Sequence, residues 1–167
     1  ELALKDSDAD IRVTALRIAR SLKLDVIPYV KMVAKDSSAQ VRRECAIALR
    51  HHPSAEAASL WATLAGQHDG KDRWYLEALG IGADQQWDKF LDAWLAAVGD
   101  HWNTSGGRDL VWRSRGKKTP GLLVKIINDK NIEAKERGRY MRSFDFIQGP
   151  EKEAALVELL TGPAGAP

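Results

Sequence analysis

The stretch KDSDADIRVTALRIAR (residues 5–20) returns, without a gap, as KDSSAQVRRECAIALR (35–50). Lys, Asp, Ser, Ala, Arg and the closing Arg are identical. Ile11, Ala15, Ile18 and Ala19 lie over Val41, Cys45, Ala48 and Leu49. This i, i+4, i+7, i+8 spacing is one apolar face of an α-helix. The same pattern continues in Trp74, Ala78, Ile81 and Gly82, and in part in Ala134, Gly138 and Met141. The second position is small each time (Ala15, Cys45, Ala78, Gly138), which predicts close approach of two helices there.

The aspartate that opens the motif keeps time along the chain. Asp6, Asp36, Asp69, Asp100 and Asp129 are 30, 33, 31 and 29 residues apart. Each follows an apolar helical stretch, and second helices are predicted at about 25–35, 54–66, 86–98, 120–128 and 150–161. Ser54 suits a helix start, and Pro120 and Pro150 fall where a first turn needs no N–H. No segment alternates with period two, so no sheet is expected. A period of this size marks a stack of helical pairs, each burying its apolar face on its neighbours. The predicted fold is an all-α, right-handed α-solenoid of about five pairs, one domain over 1–161, with 162–167 as a linker. The recurring aspartates read as helix-start residues, accepting backbone N–H bonds between one unit and the next. The chain opens at Glu1 inside a helical reading, which fits a piece of a longer protein lacking one preceding helix.

Composition excludes more than it selects. With 167 residues, 44% hydrophobic and 29% charged, the chain reads as a soluble globular domain. No apolar run approaches the roughly 20 residues of a membrane span. One cysteine, Cys45, rules out an internal disulfide and reads as a small buried apolar residue. The four histidines offer no third ligand at helical spacing. Motifs for phosphate-binding loops, dinucleotide folds, serine hydrolases and zinc hydrolases are absent from the sequence. No cofactor is therefore expected, and no catalytic residue stands out.

Two features break the repeat. The fourth unit carries HWNTSGG, whose Asn103, Ser105, Gly106 and Gly107 read as a turn-forming insertion. Insertions in repeat proteins often map to the binding face. Trp102, Asn103, Arg108, Trp112, Arg113 and Arg115 cluster around it, and Trp with Arg is a composition typical of interaction hot spots. The alternative is that Trp102 and Trp112 fill a packing irregularity made by the insertion. Charge is also uneven: residues 108–142 hold eleven Lys and Arg against four Asp and Glu, although the whole chain is only +2. Trp87 and Trp94, with Phe90 and Leu91 between, share one helix face and read as core.

The unit D-x-x-x-x-[Ile/Val]-Arg-x-x-[Ala/Cys], with Arg12 and Arg42 after the β-branched residue, resembles the short HEAT-like repeat of bilin lyases and many bacterial scaffold proteins. Tyr75 falls where the next Arg is expected, so the series is interrupted there. The resemblance implies that Arg12 and Arg42 bind one repeat to the next. A narrower resemblance covers DGKDRWYLEALGIGAD (69–84), WDKFLDAWL (87–95) and WNTSGGRDLVWRSR (102–115). These stretches look like the HEAT segment of large Planctomycetes-type bacterial dehydrogenase-like proteins. Such proteins combine a β-propeller, HEAT repeats and a haem-binding CxxCH module. That resemblance implies an extracytoplasmic setting, which the residues alone do not give. This chain, with its one cysteine, holds no CxxCH.

The leading expectation is a non-catalytic scaffold whose partners are proteins, sibling domains of one chain included. A nucleic-acid-binding reading stands as the alternative. It rests on the basic 108–142 region and on analogy with HEAT-like alkylpurine DNA glycosylases, with Trp112 and Asp109, or Trp87 and Asp88, as the pair. Scattered basic residues and an acidic remainder make nucleic acid the weaker expectation. A bilin lyase-like activity would rest on repeat type alone.

Overall fold

Just ahead of four of its helices, the chain folds the same aspartate turn. The carboxylate of Asp6 accepts the N–H of Asp8, that of Asp36 the N–H of Ser38, that of Asp69 the N–H of Lys71 and that of Asp129 the N–H of Asn131, all at 2.8–2.9 Å. An aspartate held to the backbone two residues on closes a turn on itself. The helix caps are other residues: Asp8, Ser38, Asp72, Thr104 and Glu133. The recurring aspartates are thus turn formers placed ahead of the cap, a correction to the sequence reading. Asp100 is the exception, lying in a 3₁₀ turn at Gly99–Trp102.

The computed structural model describes residues 2–162. Residues 163–167, most of the expected linker, lie outside the described residues, as does Glu1. The described residues form ten α-helices and no strand. The helices are α1 (Ala9–Ser21), α2 (Ile27–Val33), α3 (Ala39–Ala48), α4 (Glu56–Ala65), α5 (Arg73–Gly82), α6 (Trp87–Val98), α7 (Ser105–Arg113), α8 (Thr119–Asn128), α9 (Ala134–Ser143) and α10 (Pro150–Thr161). Residues Leu2–Lys5, expected as the end of an α-helix, form a 3₁₀ turn. The second helix of each pair falls where the sequence predicts it. Pro28, Pro120 and Pro150 sit in first turns, where a missing N–H costs nothing.

The odd-numbered helices pack in succession, α1 on α3, α3 on α5, α5 on α7 and α7 on α9. Beside them α2 packs on α4, α4 on α6 and α8 on α10. Between the two rows runs one contiguous apolar core, from Leu4 to Leu159. Its centre is aromatic. Trp61 lies 5.5 Å from Phe90 and meets Trp87 edge-on at 5.8 Å, and its indole N–H donates to the carbonyl of Leu79 at 3.0 Å. The Trp87–Phe90–Leu91–Trp94 stripe is buried, as its spacing predicts.

Counting from the caps gives a register that the aspartates conceal. In α3, α5 and α9, residues at the third, sixth or tenth position after the cap face the preceding odd helix. In α3 the sixth is Glu44, which takes Arg17 and Arg20 of α1. In α5 the tenth is Gly82, where an added Cβ would stand 2.2 Å from the carbonyl oxygen of Ala46 in α3. In α9 they are Arg139, bound to Asp109 of α7 at 2.6 Å, and Ser143, whose hydroxyl donates to the carbonyl of Trp112 at 2.9 Å. The fourth position is Arg12, Arg42, Arg108 and Arg137, broken only by Leu76. These guanidiniums donate back to the carbonyls of the preceding turn: Asp6 and Ser7, Asp36 and Ser37, Asn103, and Asp129. Arg12 also forks onto the Asp36 carboxylate at 2.7 and 2.8 Å, tying the first unit to the second. Arg42 instead stacks over Tyr75 of the next unit at 5.4 Å.

This register corrects several predicted core positions. Aspartate and cap are two residues apart in the first two units, three in the third and four in the fourth and fifth. Trp74, aligned with Val41 by sequence, is therefore one position early and 72% exposed, and Tyr75 and Leu76 are buried instead. In α9 the shift is two, so Ala134, Gly138 and Met141 are exposed while Tyr140 and Ser143 are buried. Among the described residues, no atom outside its own stretch of helix approaches within 4 Å of a Cβ added at Gly138, so the close contact predicted there is absent. Cys45 is fully buried, and burial pushes its thiol up to about 12.

Two alanine substitutions should therefore have opposite signs. Gly82→Ala drives a Cβ into a neighbouring backbone and should cost about 1–3 kcal/mol. Gly138→Ala fills open space in a helix interior and should add about 0.5–1 kcal/mol. Thermal melting checks both, at about 2–4 °C per kcal/mol; equal shifts would contradict the register.

Candidate functional site

The segment SGG is part of a helix. Thr104 caps α7 by accepting the N–H of Gly107 at 3.1 Å, and Ser105, Gly106 and Gly107 form the first turn. Glycine is needed because two backbones press on that turn. A Cβ on Gly106 would stand 2.1 Å from the carbonyl oxygen of His68, and one on Gly107 would stand 1.7 Å from that of Trp102. The inserted element is instead the 3₁₀ turn Gly99–Trp102, which leans on α6.

From this anchored start α7 projects Asp109, Trp112 and Arg113. Trp112 is half-buried between two guanidiniums, Arg139 at 4.5 Å and Arg73 at 5.3 Å from its ring centre. A cation over an indole face is attracted by the negative ring quadrupole. Glu77 of α5 joins this group, accepting from Arg73 on its own helix and from Arg113 at 3.1 Å. Asp109 is buried and spoken for at both oxygens, by His68 Nε2 at 3.1 Å and by Arg139 at 2.6 Å. A carboxylate can only accept, so Nε2 of His68 carries the hydrogen. His68 lies parallel to the Tyr75 ring at 6.0 Å.

The electrostatics follow from this pairing. Burial raises the Asp109 carboxyl, but the His68 hydrogen bond and the nearby charge and hydrogen bond of Arg139 outweigh it and hold the group below the usual carboxylate range. At Glu77 burial is likewise outweighed by Arg113 and Arg73. Arg115 moves the other way: burial lowers its guanidinium, and the like charge of Arg113 adds to the effect. Chemically the group positions side chains and engages its acids. His68 and Asp109 have the relation of a base and its orienting acid, but the other ring nitrogen, Nδ1, is buried and meets no partner, hydroxyl or thiol among the described residues.

The six residues singled out in sequence do not form one patch. Trp112 and Arg113 lie together with Arg73, Glu77 and Arg139. Asn103 and Arg108 bond each other, and the Asn103 amide reaches the Asp129 carboxylate at 3.1 Å, a link from the fourth unit to the fifth. Trp102 lies elsewhere, lining a hollow with Leu95 of α6, Lys117, and Ala155 of α10. Arg115 stacks on Phe146 at 5.1 Å and lines a cleft with Arg113. Sequence reasoning missed His68, Arg73, Glu77 and Arg139. Only Arg139 carries a signal, its place six residues after the cap as the counterpart of Glu44; none marks His68, Arg73 or Glu77.

Four of the eleven cations of the basic segment are ion-paired. Arg113 meets Glu77, Lys118 meets Asp92, Lys135 meets Glu133 and Arg139 meets Asp109. Trp87 is in the core, and one oxygen of Asp88 accepts the backbone N–H of Lys117 at 2.7 Å. Among the described residues no three His, Cys, Asp or Glu gather as a metal would require. No described helix is long and apolar enough to cross a membrane.

Asp109→Asn should lower stability by about 1–3 kcal/mol at neutral pH, because it weakens the acceptor of two donors, one of them buried. A depressed carboxyl contributes stability above the ordinary carboxylate range and loses it as pH falls through its folded value. The melting difference between variant and parent should therefore be largest near pH 7 and shrink below about pH 4. A gap that stays constant with pH would place the stabilisation elsewhere.

No protein-family model, curated protein or solved structure matches this chain, so the arrangement stands on its own geometry.

Proposed function

We propose that this chain is a right-handed α-solenoid of about five HEAT-like helical pairs, and that it acts as a non-catalytic protein-interaction scaffold. The observation that carries this reading is the repeated seam. Residues at the sixth or tenth position after the caps of α3, α5 and α9 meet the preceding odd helix, and in four of the five units an arginine at the fourth position returns to the turn before it. A nearest-neighbour stack of this kind makes an extended surface rather than an enclosed site. The apolar positions left open support it too. Ile11 and Ile18 are 42% and 53% exposed, yet their counterparts Val41 and Ala48 are buried at a seam. Such a face belongs to a stack that can take another helical neighbour.

The surface with the composition of a contact is that of α5, α7 and α9. Trp74 stands free beside Arg73, and Trp112 lies between Arg73 and Arg139. Tryptophan and arginine anchor interfaces because they bury much area and keep a polar handle. The partner in this reading is a protein, sibling domains of a larger bacterial extracytoplasmic dehydrogenase-like protein included. Four of the eleven 108–142 cations are paired with neighbouring acids, and this weighs against nucleic acid, which would need them free. The engaged state of Asp109 and the closed Nδ1 of His68 support a non-catalytic role.

The test is cross-linking mass spectrometry on the full gene product. Links are expected from Lys71 and Lys135, at the starts of α5 and α9, to another domain or protein. The double variant Trp74→Ala, Trp112→Ala should lose most of them while circular dichroism stays unchanged. Links that persist in that variant would remove this surface from the proposal.

A further inference from the structure

A second feature of the same helices points to a ligand. Between α5, the start of α6 and the turn after α7 lies a cleft of 720 Å³, within the range of small-molecule sites. Four cations line it, Arg50, Lys89, Arg113 and Arg115, against two acids, Asp84 and Asp88. Both acids are engaged. Asp84 is held by Arg50 at 2.7 Å and by His51 at 3.3 Å, and Asp88 receives the Lys117 N–H. Arg113 shares Glu77 with Arg73. Arg115 meets no carboxylate among the described residues. Its Nη1 donates to the carbonyls of Trp112 and Ser114, at 3.0 and 2.6 Å, and Phe146 stacks on its guanidinium. These contacts fix a half-buried cation and leave its other N–H groups without an acceptor among the described residues.

Two further details favour an anion here. Gly80 forms part of the wall, and a Cβ there would stand 2.5 Å from the Arg113 guanidinium carbon, so the missing side chain is what lets Arg113 lie against α5. The first turn of α6 also faces the cleft through Trp87, Asp88 and Lys89. This 12-residue helix has no side-chain cap at Gln86, so its first N–H groups lack a side-chain acceptor there, although Asp88 in the same turn offsets part of their positive charge.

We propose that the cleft binds a small organic oxyanion, a carboxylate or a phosphate, seated between Arg113 and Arg115 with its carbon frame along Ile81. Paired guanidiniums suit either group, because their forked N–H donors match two oxygens at once. The proposal is independent of the scaffold reading, since it needs neither Trp74 nor Trp112.

Isothermal titration with citrate and, separately, with inorganic phosphate, at ionic strength held constant with sodium chloride, tests it. Saturable binding of one molecule per chain is expected for at least one probe. Binding of citrate alone assigns a carboxylate ligand, and binding of phosphate alone assigns a phosphate. Arg115→Gln should weaken binding about tenfold. Lys89→Glu, on an exposed helix face where folding is not at stake, should weaken it in the same direction. Arg142→Gln, exposed on α9 away from the cleft, should leave it within about twofold. Failure of both probes to saturate by about 10 mM overturns the proposal. So does equal weakening by Arg142→Gln, or no weakening by Lys89→Glu with Arg115→Gln correctly folded by circular dichroism.

Discussion

The whole arrangement depends on how closely one odd helix can approach the one before it. At the α3–α5 seam that approach is set by backbone: Gly82 of α5 lies against the carbonyl of Ala46, with no room for a methyl group between them. At the α1–α3 and α7–α9 seams the same register carries charge. Glu44 sits under two arginines, and Asp109 sits under Arg139 and His68. Small residues allow tight packing where the seam is apolar. Where it is polar, buried acids are tolerated because each is met by two donors. One geometry is thus held by two chemistries, and it explains why the helices repeat more faithfully than the sequence does.

The second constraint is the turn ahead of each odd helix. In the first, second and fifth units an aspartate closes it and an arginine one turn into the helix returns to its carbonyls, so that otherwise orphaned backbone groups are satisfied from both sides. The fourth unit departs from this. Asp100 is drawn into a 3₁₀ turn, Thr104 takes over the cap, and Asn103 supplies the carbonyl and amide that join Arg108 to Asp129. The departure is what gives α7 its glycine-rich start, pressed on the carbonyls of His68 and Trp102. It also fixes the direction in which Asp109, Trp112 and Arg113 emerge.

Much of this was legible in the chain. The gapless overlay of 5–20 on 35–50 located the helical pairs, and prolines and apolar runs located the second helices to within about two residues. Helix register beyond the second unit was not legible, because the aspartate-to-cap distance grows from two residues to four and each added residue turns the following helix by about 100°. Trp74 and Met141 lie off the predicted buried face for that reason. At the site, composition drew attention to α7 but not to its neighbours. His68 and Arg139 reach Asp109 across 41 and 30 residues, and no local pattern announces such contacts. Aligned from the caps, the sixth-position column reads Thr14, Glu44, Ala78, Leu110 and Arg139, and its charged members, Glu44 and Arg139, mark the seams where charge is answered from the neighbouring helix.

If the seams act pairwise, disturbance at one end should fade along the stack instead of spreading through it. Leu16 of α1 is fully buried at the first seam. Amide hydrogen exchange of Leu16→Ala measures this most directly. The account predicts faster exchange in α1 to α3, with α8 to α10 close to the parent. An equal rise in all ten helices would show a single cooperative core and contradict it.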